Sequence, residues 1–138
     1  MRRDLGDGYE LDDDPGRIDR DAVHAYLTVS YWAEGRTREV QDALVAGAAR
    51  VVGLYHEDML IGFSRTLSDG QSQSYLADVY VLDEHRGRGL GVELVRFSVD
   101  EGPLADTKWL LHTRDAHDLY RRFGFAEPSE RVLERPGR

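Results

Sequence analysis

The sequence HRGRGLG, residues 85–91, lies between two segments of different pattern. It has a glycine at every second position from Gly87 and carries two arginines. The apolar run YLADVYVL (75–82) precedes it, and GVELVRFSVDEG (91–102), whose apolar residues recur with the period of a helix, follows it. The stretch therefore predicts a glycine-rich turn that joins a strand to a helix and carries two permanent positive charges.

The composition indicates an ordinary globular protein. A length of 138 residues favours one domain, and 41% hydrophobic with 32% charged residues is typical of such a domain. We interpret 1–138 as that domain, with 1–17 as an N-terminal segment that can be mobile and 129–138 as a last strand and tail. No window reaches the roughly 18 consecutive apolar residues of a transmembrane helix. The start of the chain lacks the apolar core of a signal peptide, so we expect no membrane association and a cytoplasmic location.

Charge and residue usage exclude several kinds of function. The chain has no cysteine, which excludes disulfides, thiolate metal sites and a cysteine nucleophile. Its five histidines show no metal-binding spacing, so we expect no metal. A net charge of −8 makes nucleic acid an unfavourable partner, because binding it requires a basic face. An anionic ligand would need a local island of positive charge, and Arg86 and Arg88 could form it.

Apolar patterns and turn residues predict the order β-α-α-β-β-β-α-β-α-β. Helices are expected from Asp19 to Ser30, after Thr37 and after the glycine-rich stretch. The expected strands and the last helix are GYEL (8–11), RVVGLYHED (50–58), MLIGFSRTLSD (59–69), SQSYLADVYVL (72–82), KWLLHT (108–113), the helix DAHDLYRRFGF (115–125) and the strand RVLER (131–135). The strands between 50 and 82 should be antiparallel hairpins. The crossover to 108–113 should make two parallel neighbours or leave them splayed at a sheet edge.

Residues 85–91 have three interpretations. The first is a flexible turn with solvated charges. The second is a known nucleotide loop, but the third Rossmann glycine falls on Val92, too little chain follows for that sheet, and no Gly-Lys pair exists for a Walker A loop. The third is a phosphate site built from backbone: free amides and the helix dipole attract anions, glycines allow close approach, and Arg86 and Arg88 add charge. These considerations favour pyrophosphate without naming the molecule that carries it.

The segment RGRGLG (86–91) resembles the R/Q-x-x-G-x-G/A signature of the GNAT superfamily of acetyl-CoA-dependent N-acyltransferases. LYRRFGF (119–125) is similar to a second motif of that family, a tyrosine followed by Gly-Phe. The resemblance extends from about Asp19 to Phe125. It implies an α/β fold of α+β layout: a mixed, mostly antiparallel sheet of about six or seven strands with a splayed parallel pair, flanked by four helices.

The resemblance also implies a site for acetyl-CoA as cosubstrate. The backbone of Val79, Tyr80 and Val81 would pair with pantetheine, and one of these amides would polarise the thioester carbonyl. Thr113 stands where many relatives have asparagine and would bind pantetheine with fewer donors. The loop before the signature also lacks the common proline. The amides that would enclose the pyrophosphate belong to Arg86, Gly87, Arg88, Gly89, Leu90, Gly91 and Val92.

Two residues are implied in catalysis. Tyr120 matches the family tyrosine that protonates the departing thiolate, although its place on an apolar helix face is also typical of a core residue. Asp78, directly before the pantetheine strand, could draw a proton from the attacking amine. An aspartate in an apolar strand is equally explained as a hydrogen-bond acceptor for a neighbouring loop.

The connection SYWAEGR (30–36) is the expected acceptor site. Tyr31 and Trp32 would wall the pocket and Arg36 would bind a carboxylate, or the aromatic residues would instead plug the core. The implied activity is transfer of acetyl to a primary amine, in a small molecule, by direct attack in a ternary complex. The alternatives are a protein amine as acceptor and a non-catalytic CoA-binding module. We expect a monomer or a homodimer.

Overall fold

The structure is a computed structural model that describes residues 1–137. In this part of the chain six strands form one sheet in the order β1-β2-β3-β4-β5-β6, antiparallel except for the last pair. This confirms the predicted mixed sheet with four helices. The strands are β1 (Arg2–Gly6), β2 (Tyr9–Asp12), β3 (Arg50–His56), β4 (Met59–Ser68), β5 (Gln73–Val81) and β6 (Lys108–Leu111). The helices are α1 (Arg20–Leu27), α2 (Arg38–Ala46), α3 (Leu90–Val99) and α4 (His117–Arg121).

The two ends of the chain differ from the sequence prediction. One short strand was expected within residues 1–17, whereas β1 and β2 form a hairpin whose second strand pairs with β3. Three of the five residues of β1 are charged and the strand lies at the sheet edge, so no apolar run predicts it. RVLER (131–135) forms no strand. Leu133 is 94% exposed, so no burial stabilises a strand there.

The first two helices are capped as the sequence predicts. The Asp19 carboxylate accepts from the amide of Ala22 at 3.0 Å before α1, and the Thr37 hydroxyl accepts from the amide of Val40 at 3.2 Å before α2. Their apolar residues pack on one face of the sheet with Phe63 and Tyr80. α1 ends earlier than expected, and residues 28–37 form the connection to α2.

The third helix packs on the opposite face of the sheet. Leu94 and Phe97 of α3 are buried against apolar side chains of β2, β3 and β4. Arg50 of β3 stabilises the end of this helix, because its guanidinium donates hydrogen bonds to three backbone carbonyls near the C-terminus of α3 at 2.7–3.2 Å. Within residues 1–137 no helix combines the length and apolar character needed to cross a membrane.

The sheet opens between β5 and β6. The two strands run parallel and pair only from Gln73 to Leu76 of β5. Beyond that point β5 has a bulge at Asp78, which has φ +56°, and the register with β4 shifts between Phe63 and Arg65. The strands separate there, so 77–81 have a backbone edge that no neighbouring strand covers. This opening positions the candidate site.

Candidate active site

A groove of about 550 Å³ follows the open edge of β5 from the start of α3 to α4. Most of the residues that the sequence predicts for the cosubstrate and acceptor lie along it. Arg88, Thr113, Asp78 and Arg36 do not line it. The lining residues are Tyr26, Ser30, Tyr31, Trp32, Val79, Tyr80, Val81, His85, Arg86, Gly87, Gly89, Leu90, Gly91, Val92, Asp115, Ala116, Leu119 and Tyr120.

One end of the groove is a row of backbone amides, 87–92, which we call the amide cradle. None of these six N–H groups donates to an acceptor within residues 1–137. The first bond of α3 runs from the amide of Glu93 to the carbonyl of Gly89 at 3.2 Å. The amide of Arg86 donates to Asp83 at 3.2 Å and therefore lies outside the cradle. Unpaired amides at a helix start concentrate positive potential, which favours an anion.

The glycines keep the cradle accessible. Gly87 and Gly89 have φ of +81° and +78°, a region that other L-residues rarely adopt. A Cβ built at Gly87, Gly89 or Gly91 would meet no atom within 4 Å, so their open side faces unfilled space. A ligand can therefore reach the backbone directly.

The two arginines of the loop have different surroundings. Arg86 braces the loop: its guanidinium donates to the carbonyl of Val81 at 3.1 Å and to the Tyr26 hydroxyl at 3.0 Å, and it pairs with Asp83 at 2.9 Å. Arg88 is exposed and makes no ion pair or side-chain hydrogen bond within residues 1–137. Arg88 is the cation of this loop that remains available to a ligand.

The middle of the groove is the open edge of β5. The amide of Leu82 donates to Ile61 of β4 at 2.8 Å. Because successive backbone groups of a strand alternate in direction, the amides of Val79 and Val81 face the opening. The ring of Tyr80 stacks on Tyr26 of α1 with centroids 4.0 Å apart. An extended ligand could add to this edge as a further strand.

Tyr120 lies at the other end of the groove, on α4. It is 8% exposed and packs against Phe125, and its hydroxyl has no hydrogen-bond partner among the described residues. Burial, with smaller contributions from Tyr31 and Asp115, raises its pKa to about 12. The ring is thus part of the core while the residue lines the groove. Thr113 is expected at the pantetheine. Its hydroxyl accepts a hydrogen bond from the amide of Ala116 at 3.1 Å, just before α4.

Asp78 lies behind the groove in a group of side chains that we call the Asp78 cluster: Asp78, Trp32, Arg36 and Arg65. Its carboxylate is 1% exposed and accepts from the Trp32 indole at 3.0 Å. Arg36 and Arg65 each donate to its second oxygen at 2.9 Å. Trp32 and Arg36 both belong to the 28–37 connection. The arrangement therefore agrees with the alternative interpretation of Asp78 as a hydrogen-bond acceptor for a neighbouring loop. The sequence predicts that Arg36 binds a substrate carboxylate, whereas in the structure it is paired with the carboxylate of Asp78.

The aromatic residues of the connection stand beside Tyr120. Tyr31 is 45% exposed and is covered on one face by Arg114, whose Cζ lies 3.9 Å from the ring centroid. Trp32 is 39% exposed and packs edge-on against Tyr31. Both line the groove, and Trp32 is also held by Asp78.

Sequence reasoning did not single out several lining residues. Tyr26 is the clearest case, because it lies three residues after buried Val23 and so completes the apolar face of α1. Leu119 and Ala116 come from the same apolar pattern as Tyr120. His85 precedes the signature directly. Nothing in the local pattern distinguishes these residues from ordinary core or loop positions.

The groove therefore joins unpaired backbone amides at one end to a buried tyrosine at the other, across a sheet that opens at a bulge. Residues 47–127 match the family model of the acetyltransferase (GNAT) domain. The chain belongs to the GNAT family of acetyltransferases, and its enzyme class is acyltransferase. A search of curated protein sequences finds no match to the chain.

Solved structures share the fold over nearly the whole chain. A protein of Xanthomonas campestris pv. campestris assigned to the GNAT acetyltransferases is 28% identical, with a TM-score of 0.88 over 94% of this chain and 93% of its own. An acetyltransferase of Deinococcus radiodurans is 26% identical, with a TM-score of 0.74 over 96% and 92%. A GNAT acetyltransferase of Brucella melitensis, solved in complex with acetyl-CoA, is 21% identical with a TM-score of 0.65 over 88% and 84%.

Proposed function

We propose that this acetyltransferase moves the acetyl group of acetyl-CoA to the primary amine of a small molecule, by direct attack within a ternary complex. The observation that carries the proposal is the continuous groove of about 550 Å³ that joins the amide cradle to Tyr120 along the open edge of β5. Acetyl-CoA, when bound, supplies an activated thioester and a thiolate leaving group. The acetyl-CoA complex of the Brucella relative supports this choice of cosubstrate.

The amides of 87–92 are assigned to the pyrophosphate, and exposed Arg88 adds charge at the same end. Glycine at 87, 89 and 91 leaves room for phosphate oxygens to approach the backbone. The open edge at Val79 and Val81 is assigned to pantetheine. We also assign to an amide at this edge the hydrogen bond to the oxyanion of the tetrahedral intermediate.

Tyr120 is the proposed general acid. A raised pKa of about 12 keeps its phenol protonated at neutral pH, so that it holds a proton to donate to a departing thiolate. Within residues 1–137 its hydroxyl has no hydrogen-bond partner that would compete for that proton.

Tyr31 and Trp32 are the proposed wall of the acceptor site, because both line the groove beside Tyr120. Asp78 remains the candidate for accepting a proton from the acceptor amine, directly or through water. Its three donors give it a second task, which is to hold Trp32 and Arg36 in place.

Two measurements test the proposal together. Calorimetry with CoA should show binding to the wild-type protein, and acetyl-CoA with a panel of primary amines should release free thiol in proportion to acetylated amine. Binding of CoA without turnover on any amine would favour the non-catalytic alternative. Turnover only on a peptide or protein amine would replace the small-molecule acceptor.

A further inference from the structure

The Asp78 cluster contains more positive than negative charge. Arg36 and Arg65 carry two positive charges, and Asp78 is the only carboxylate within 4.0 Å of either guanidinium in residues 1–137. The side chains of Arg36 and Arg65 are 17% and 8% exposed. A largely buried positive charge without a counterion is unfavourable, so this place favours an additional anion.

Hydrogen-bond donors are also in excess. Arg65 uses only Nε, toward Asp78, and neither of its terminal nitrogens has an acceptor among the described residues. Arg36 uses Nη1 for both Asp78 and Gln41, which leaves Nε and Nη2 without acceptors. Fully buried Gln41 has a side-chain nitrogen with no partner. The arginine nitrogens, unlike that of Gln41, are not completely covered by protein atoms.

The cluster adjoins the reacting end of the groove. Trp32 lines the groove and donates to Asp78 at 3.0 Å, and Asp78 directly precedes Val79 on the open edge. On the same face, the hydroxyl of Tyr75 is hydrogen-bonded to His112, whose other nitrogen contacts Glu134 at 2.5 Å. Glu134 contacts His112 and makes no ion pair within 4.0 Å with either arginine of the cluster.

We propose that the acceptor amine carries a carboxylate, as an amino acid does, and that Arg65, assisted by Arg36, binds this carboxylate beside Asp78. The planar guanidinium of Arg65 presents two terminal nitrogens in the geometry that a carboxylate accepts. Asp78 holds Arg65 through Nε, so the terminal nitrogens keep their orientation in the absence of substrate. The inference rests on the proposed function, since it names the class of its acceptor.

The test compares matched acceptors with wild-type enzyme. Each amino acid of a panel of α-, β- and ω-amino acids is assayed beside its carboxamide, with acetyl-CoA and free-thiol release as the readout. We expect kcat/KM to be about 10- to 100-fold higher for the best acid than for its carboxamide, because charged hydrogen bonds are lost in the amide. The amine of an α-carboxamide deprotonates more readily, so for α-amino acids this preference would run against intrinsic reactivity. Equal or higher kcat/KM for the amides would overturn the inference.

Two variants locate the preference. Arg65→Met removes both the positive charge and the paired terminal nitrogens of the guanidinium. Arg65→Lys keeps a cation beside Asp78 but lacks the paired nitrogens, so it can be used if Arg65→Met does not fold. Both variants should bring the ratio of kcat/KM for the acid to kcat/KM for its carboxamide close to one, while the Kd of CoA stays within about twofold of wild type. Arg38→Lys, at an exposed arginine paired with Asp21 and Asp42, is the matched control and should leave the ratio unchanged. An unchanged ratio in folded Arg65→Lys would overturn the assignment to Arg65.

A binding measurement separates this inference from the proposed function. The N-acetylated acid and the N-acetylated carboxamide of one pair are titrated into the protein saturated with CoA. Tighter binding of the acid by about tenfold, lost in Arg65→Lys, would sustain the carboxylate site even if no amine were turned over. Turnover of both acceptors with equal affinity for both products would preserve the proposed function and remove the carboxylate site.

Discussion

The amide cradle forms one end of the groove, the Asp78 cluster lies behind the groove, and the two are built in opposite ways. The cradle consists of consecutive backbone groups, 87–92, and its donors are unpaired. The cluster joins charged side chains from the 28–37 connection, β4 and β5, and its central carboxylate accepts three donors. A backbone site depends mainly on the space above it, whereas a buried charge network depends on each member. Substitutions in the cradle should therefore affect CoA binding, and substitutions in the cluster should affect stability while leaving CoA binding nearly unchanged.

Asp78→Asn should have the largest effect. Asparagine tolerates the positive φ of this position, so the backbone is preserved, but two guanidinium groups lose their carboxylate. We expect the free energy of unfolding to fall by about 3–5 kcal/mol, measured by urea denaturation, while the Kd of CoA changes little in folded protein.

Asp42→Asn is the matched control, because Asp42 is a partly exposed carboxylate on α2 that pairs with Arg38, itself exposed. It should cost less than about 1 kcal/mol. A similar loss in both variants would contradict the distinction between the two regions. If Asp78 also accepts the substrate proton, the Asn variant should lose less activity at low pH than wild type. Identical pH–rate curves would exclude that role.

Tyr120→Phe should reduce turnover without affecting the fold. The hydroxyl has no hydrogen-bond partner in the described part of the chain, so its removal should leave packing and stability nearly intact. Loss of a general acid should lower kcat by about 10²-fold or more. Tyr55→Phe is the control: Tyr55 donates to the carbonyl of Arg17 at 3.2 Å, away from the groove. It should cost about 0.5–1.5 kcal/mol of stability with kcat unchanged.

The same tyrosine should influence stability in alkali. Because burial raises the folded pKa of Tyr120 to about 12 from the ordinary value of 10.0, its contribution to stability is complete below pH 10 and is lost as pH rises toward 12. Wild-type protein should therefore lose more stability than Tyr120→Phe across that window, as measured by denaturation at each pH. Parallel curves would show that the phenol does not titrate differently in the folded state.

Substitution of Gly91 should change stability and CoA affinity in opposite directions. It lies in the first turn of α3, and a Cβ there would project into open space. Gly91→Ala should raise the free energy of unfolding by about 0.5 kcal/mol, because glycine is a poor helix former. It should also weaken CoA binding. Gly91→Val should weaken CoA binding by about tenfold or more in calorimetry. Unchanged affinity in both variants would exclude the cradle as the pyrophosphate site.

Tyr31→Ala should have the smallest effect. Its ring lines the groove and is half-exposed, so the melting temperature and the Kd of CoA should stay constant. The acceptor KM should rise by about three- to tenfold, because a stacked aromatic contact contributes about 0.5–1.5 kcal/mol. A lower melting temperature with both substrates affected alike would instead identify Tyr31 as a plug of the core.

The sequence by itself determined the amide cradle and the order of most elements. The glycine spacing at 87–91, the apolar strand before it and the helix after it are local features, and the structure has the turn, strand and helix where they were predicted. The resemblance to GNAT motifs was confirmed by the family match over 47–127. β1 could not be predicted, because a polar edge strand forms through pairing with β2 and not through its own apolar pattern.

Only the tertiary structure decided the Asp78 cluster. Asp78 meets Trp32, Arg36 and Arg65 across separations of 46, 42 and 13 residues, and the bulge that turns it toward them arises from the pairing of β4 with β5. Local pattern could mark Asp78 as costly in a strand but could not name its partners. Backbone donors keep their place along the chain, whereas partners for a buried charge are selected when distant segments pack together and water is excluded.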